Sequence, residues 1–348
     1  MKNWLKLLLF IVITFSILVG LNKFVFVDKV VDTAYGGFYS EKENSIDVIS
    51  IGSSTVKEGI IGNEIWNNYG VTSYSINSAP THPEVIKIII DEIARTQSPK
   101  VVYVDLTGLT YHLRENQKTF VREYVNSMPD GKEKEELIKK YSYLKDDDEE
   151  FEIFDGHNNF RNPNYLSAVF LNSSHEFKGY TPIYTKISQK VDNTIDYSKT
   201  ISLPKDGKEY LIEILETCKK YPHINFLFGM MPKFINSSDA YEVHMLNSAI
   251  PTIESYGYKY INWAKYTKEI GLDPSFDMRD SQHLNVYGAI KFTDYFAKYL
   301  DKNYGIVGNT YSDDVVKDFD ECYKTYEKRV LKKVKRKTKN KDLYNRSK

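Results

Sequence analysis

Short, unbroken apolar runs alternate along the chain with longer stretches in which apolar positions recur every third or fourth residue. The first run, DVISIG (47–52), places Val48, Ile49 and Ile51 in a buried strand that Gly52 breaks. VTSYSI (71–76), KVVYVD (100–105), INFLFG (224–229) and YKYIN (258–262) predict four more strands. Between them, GNEIWNNYG predicts a short helix or turn. Pro83 opens a helix with Val85, Ile86, Ile89, Ile90 and Ile93 on one face, and Ser98-Pro99 ends it. GKEYLIEILETCKKY is helical, residues 241–256 are mostly helical with a kink or break expected at Pro251, and 287–300 form a closing helix. Strand–helix repetition of this kind predicts an α/β fold: a parallel sheet of about five strands, covered on both faces.

Residues 106–206 interrupt the alternation and differ in character. They hold KDDDEEFE, DGHNNFRNPN and NSSHEFKGYTP, which together predict a helical and loop-rich insertion over the carboxyl edge of the sheet. The acidic run is expected to be a solvated loop rather than a cation site. At the N-terminus, Lys2 and Lys6 precede the uncharged run LLLFIVITFSILVGL (7–21), shorter than the roughly 17–25 residues a span needs. Trp4, Leu5 and the following FVFV extend it. A cleaved leader would carry small residues in an A-x-A-like pattern, and VGLNKFVFVDK has none. The expectation is an uncleaved anchor over 1–27, basic residues inside and the rest of the chain outside the membrane.

Composition adds an asymmetry. Net charge is zero, yet residues 323–348 hold twelve Lys or Arg against two acidic residues, so the first 322 residues carry −10. That basic tail reads first as a solvated end. Outside a cell its partners would be an anionic polymer or anionic lipid headgroups, with nucleic acid not expected. The 41% hydrophobic content suits a globular body, 28–322, between anchor and tail. Cys218 and Cys322 have no metal-ligand spacing, and form one bridge or none.

Two serines stand where the first strand ends, in GSST. Open α/β folds place reactive groups at such small-residue turns, although Gly and Ser are equally the residues of an ordinary β-turn. A serine needs a base to become a nucleophile. Of the seven histidines, His223 before a strand and His244 in a helical pattern read as structural. His283 lies in DMRDSQHLNVYG, three residues after Asp280 and just ahead of the final helix. An aspartate so placed can fold back to accept the Nδ1–H of the histidine, leaving Nε2 to take a proton from a serine. By itself D-x-x-H before a helix is as readily a loop and N-cap arrangement.

Taken together, GSST near the start and DSQH near the end resemble the nucleophile and D-x-x-H blocks of the GDSL-like, or SGNH, serine hydrolases. The resemblance covers the alternating segments, about two thirds of the chain. It implies a flavodoxin-like, doubly wound sheet with Ser54 as nucleophile, His283 as base and Asp280 as its orienter. No cofactor or metal is implied. The oxyanion donors would come from Ser54, from Asn77 in YSINSAP, and from Thr107 in DLTG, where the family has asparagine. GSS in place of GDS, and HLNVYGAIKFTDYFAKYL near the end, resemble membrane-anchored members that acylate cell-surface polymers. Those linked to exopolysaccharide fit better than the D-alanyl transfer proteins of teichoic acid. His175 and Lys178 are candidate substrate contacts.

The expected function is therefore a membrane-anchored, extracytoplasmic O-acyltransferase that passes an acetyl group through Ser54 to a cell-surface glycan or teichoic acid-like polymer. A multispanning membrane acyltransferase would supply the acyl group, since one anchor cannot carry it across a bilayer. The alternatives are a glycan acyl esterase using the same residues and a non-catalytic glycan-binding or assembly protein on the same fold.

Overall fold

The computed structural model describes residues 4–17, 34–77, 82–111, 117–147, 173–192, 194–237 and 239–337. Most of the acidic run and all of DGHNNFRNPN lie outside the described residues, as do His112, His157 and 338–348.

The strands are β1 (Val48–Gly52), β2 (Ser73–Asn77), β3 (Val101–Asp105), β4 (Asn225–Met230) and β5 (Lys259–Asn262). They form one all-parallel sheet in the order β2-β1-β3-β4-β5. Every residue of β1, β2 and β3 is buried, as strands covered on both faces must be, and this is why β1 and β3 read as nearly continuous apolar runs. Alternate side chains enter two separate cores. Ile49, Ile51, Val102, Val104, Phe226 and Phe228 pack on one face, whereas Val48, Val101, Tyr103 and Leu227 pack on the other.

The helices, in chain order, are α1 (4–17), α2 (Ala34–Phe38), α3 (Ser54–Gly59), α4 (Gly62–Tyr69), α5 (Pro83–Thr96), α6 (Gln117–Ser127), α7 (Lys132–Lys140), α8 (Ser173–Glu176) and α9 (Lys205–Lys219). α10 (Ala240–Ser255), α11 (Thr267–Ile270), α12 (Val286–Tyr304), α13 (Asp313–Tyr326) and α14 (Lys332–Lys337) follow. The α5 stripe Val85, Ile86, Ile89, Ile90 and Ile93 is buried as its spacing predicts. Among the described residues no helix is long and apolar enough to cross a membrane. Residues 1–3 and 18–27 of the expected anchor lie outside them.

Two expectations change. Pro251 neither ends nor divides its helix: α10 runs through it, forgoing only the bond its missing N–H would have made. Nor does the chain become a tail at residue 323. A π-helical segment (Glu327–Leu331) joins α13 to α14, and Tyr326, Val330, Leu331 and Val334 are buried in the second core. The basic residues lie on the outer side of a docked helix, so the apolar spacing outweighs the charge run. Cys218 and Cys322 are both free and buried.

The insertion also covers the sheet edge at β2. Ser75 N–H donates to Lys178 O at 3.0 Å, and Asn77 Nδ2 donates to Gly179 O at 2.9 Å. A Cβ on Gly179 would lie 1.9 Å from Ser75 O, so only glycine permits this approach.

Candidate active site

β1 ends at Gly52, and α3 begins two residues later with Ser53 as its N-cap. Ser54, partly exposed, therefore stands at the carboxyl end of the strand beside β3, where the order of strands reverses. From the other end of the chain, an antiparallel bridge between Met278 and Leu284 closes the neck of a short loop. Asn285 anchors that neck: its Oδ1 accepts the N–H groups of Tyr287 and Gly288, while its Nδ2 donates to Phe276 O at 2.7 Å. Within the loop, Asp280 Oδ1 accepts the main-chain N–H groups of Gln282 and His283 at 2.8 and 2.9 Å.

This folding back brings His283 Nδ1 to 2.8 Å from Asp280 Oδ1 and His283 Nε2 to 2.8 Å from Ser54 Oγ. The three residues form one hydrogen-bonded chain. With Nδ1–H donated to the carboxylate, Nε2 is the acceptor and the Ser54 hydroxyl donates to it. Burial alone would raise the Asp280 carboxyl. The hydrogen bonds from the His283 ring and from the two N–H groups outweigh it and hold the group below its ordinary range. The aspartate is thus charged and placed to support a positive imidazole.

The other expected site residues divide. Asn77 pairs in register with Gly52, so its main chain lies beside the serine turn. Its side-chain amide is turned away, donating to Ser75 O and Gly179 O. Thr107 is not an open oxyanion donor: its N–H donates to Asp105 Oδ1 at 3.0 Å, and its hydroxyl also supports that carboxylate. The cause is Asp105 itself, a buried carboxylate whose burial pushes its pKa up and which draws in the nearest donors, Thr107 and the Met231 N–H. Ser54 N–H, at the first helical position, has no intrahelical acceptor.

His175 and Lys178 join a different cluster. Lys178, with no exposed surface, contacts Glu41 at 2.9 Å and Asp318 at 2.7 Å, while His175 Nε2 meets Asp318 at 2.9 Å. This tie fastens α13 to the strap along β2. His175, Asp318 and Cys322 bring potential metal-ligand atoms within 4.8 Å of one another. The Lys178 ammonium already supplies the positive charge a cation would bring.

Sequence reasoning passed over four polar residues around the loop. Gln282 Nε2 donates to Asp239 Oδ1 at 2.6 Å, and Lys233 Nζ donates to Gln282 Oε1 and, at 2.6 Å, to Glu242 Oε2. The contacts tie the loop to the chain after β4, with no motif to announce them. Beyond Lys233 a cleft of about 550 Å³ opens at the carboxyl ends of β4 and β5, lined by Tyr197, Ser198, Phe234, Ile235 and Lys265 among others.

No known protein-family model matches the chain, and a search of characterised proteins finds no sequence match.

Proposed function

We propose that this protein is a serine acyl-transfer enzyme of the SGNH type, tethered to a membrane, that O-acetylates a cell-surface polysaccharide through an acyl-Ser54 intermediate. The observation that carries the proposal is the Ser54–His283–Asp280 chain of hydrogen bonds, each 2.8 Å between heavy atoms. In the first half-reaction Ser54 Oγ attacks the donor carbonyl as its proton passes to His283 Nε2. The tetrahedral intermediate collapses when that proton goes to the leaving group. In the second, a sugar hydroxyl gives its proton to Nε2 and attacks the acyl-serine; as the intermediate collapses that proton passes from Nε2 to Ser54 Oγ, releasing the acylated glycan and free Ser54. Asp280 keeps the imidazole in the required tautomer and supports its positive charge.

The strand order is that of flavodoxin-like, doubly wound sheets, which supports the family reading. The cleft beside β4 and β5 gives an acceptor glycan room on the same sheet edge, with Tyr197 and Phe234 offering ring surface. A multispanning partner would deliver the acyl group, and the apolar N-terminal run would hold the domain at the membrane. An esterase would use the same first half-reaction with water as acceptor. A glycan-binding protein without activity is a separate reading, favoured by the commitment of Thr107 to Asp105, which leaves the oxyanion position with fewer donors.

The test is covalent labelling of the full chain in detergent with a fluorophosphonate probe, read by intact mass and peptide mapping. One adduct on Ser54, lost in Ser54→Ala and His283→Ala, is expected. A folded protein that takes no adduct would sink the mechanism in favour of the binding reading. An activated acetyl ester, offered with and without an oligosaccharide acceptor, then separates transfer from hydrolysis.

A further inference from the structure

Asp280 has a second carboxylate oxygen, and the residues behind it are placed without regard to packing alone. Arg279 Nε donates to Asp280 Oδ2 at 2.9 Å, and its Nη1 donates to Glu58 Oε1. Glu58 lies one helical turn after Ser54 on α3, so the contacts close a ring from Ser54 through His283, Asp280, Arg279 and Glu58 back to the helix of the serine. Only 5% of Glu58 is exposed, and its Oε2 has no hydrogen-bond partner among the described residues. Burying a half-satisfied carboxylate is costly, and its pairing with Arg279 offsets only part of that cost. A buried pair of this kind adds little net stability.

We propose that Glu58 is a positioning residue for the serine site: it holds Arg279 and offsets its charge, so that Asp280 remains a full counter-ion for His283. This rests on the acyl-transfer reading of Ser54. Without Glu58, the Arg279 guanidinium would face Asp280 alone and neutralise the charge that stabilises the imidazolium as the serine proton arrives. The charged and titratable groups facing Glu58 are Arg279 and Asp280 of the loop, Lys57 of its own helix, and Tyr180 of the strap along β2. Burial, reinforced by Asp280 and opposed by Arg279 and Lys57, pushes the Glu58 carboxyl up to about 7. It loses its charge, and with it this role, as the medium becomes mildly acidic.

The experiment measures the second-order rate of fluorophosphonate labelling at Ser54 from pH 5 to 9, together with thermal midpoints. It uses the full-length wild type, Glu58→Gln, Arg279→Gln and the double variant. Glu58→Gln is expected to label about tenfold more slowly at pH 8, a difference worth about 1.4 kcal/mol in the barrier. Its midpoint should be unchanged or higher, because a buried charge is gone. The ratio of wild-type to Glu58→Gln rates should fall toward one well below pH 7, where the wild-type side chain is neutral too. The double variant should label no more slowly than Arg279→Gln. A labelled wild type with Glu58→Gln at the same rate overturns the positioning role alone, as does a slower variant whose midpoint falls or whose ratio does not vary with pH. A wild type that takes no adduct overturns the acyl-transfer reading, and the proposal with it.

Discussion

Gly52 and Asp105 abut so closely that a Cβ on the glycine would lie 3.0 Å from the Cβ of the aspartate, and 2.3 Å from Val56 Cγ2 on its other side. The ends of β1 and β3 and the first turn of α3 share this contact. Gly52→Ala must therefore move α3, and with it Ser54, away from His283. Overpacking of this kind costs about 1–3 kcal/mol, and a shift of about 1 Å in a reacting group can cost about 10²-fold in rate. The expected outcome is a lower thermal midpoint and a labelling rate at Ser54 reduced by about that factor. Unchanged labelling would show that the turn tolerates a side chain.

Asp280→Asn separates geometry from charge. The amide oxygen can still accept the N–H groups of Gln282 and His283, so the loop should keep its shape and the thermal midpoint should change little. One amide oxygen cannot also serve Arg279 Nε and stabilise an imidazolium, and the required histidine tautomer is no longer enforced. Labelling should slow by about 10³–10⁴. A variant labelled within a fewfold of wild type would remove Asp280 from the mechanism.

The Glu41–His175–Lys178–Asp318 cluster should matter for docking of α13 and not for the serine. Lys178→Met leaves Glu41 buried without its ammonium partner, at a cost of about 3–5 kcal/mol. Proteolysis within 313–337 should rise, while the folded fraction still labels at Ser54. Burial alone would lower the His175 pKa, but its hydrogen bonds, that to Asp318 first, push it up to about 11. Because the folded value exceeds the unfolded one, this contribution is complete below about 6.5 and is lost as pH rises toward 11. Asp318 is held below the ordinary carboxylate range by His175 and Lys178 against its own burial, so its contribution is lost on acidification instead. Protection of α13 should be greatest between about pH 4 and 6.5 and decline on the alkaline side, and His175→Gln should flatten that decline. A decline that persists unchanged in the variant would place its origin elsewhere.

β1 and β3 were legible because each is buried on both faces, which leaves runs such as VVYVD with little polar alternation to obscure them. Ser54, Asp280 and His283 were legible for a different reason: each stands at a chemically marked turn within a few residues of its element boundary. Thr107 was less legible, because an oxyanion donor is defined by where it points, and Asp105 takes the Thr107 N–H. Glu58, Arg279 and Gln282 carried no signal at all, since their partners are distant in sequence: 221 residues separate Arg279 from Glu58. For residues 323–337, charge concealed the burial of Tyr326, Val330, Leu331 and Val334.

The strap that lies along β2 has a consequence for how copies of this chain meet. An outermost strand offers unpaired N–H and C=O groups to any extended segment, including the same strand of a neighbouring molecule. Here the Ser75 N–H is taken by Lys178 O, from the chain's own insertion. A neighbouring copy would thus find β2 already covered at Ser75, and Gly179, which lets the strap come close enough, is what makes that cover possible.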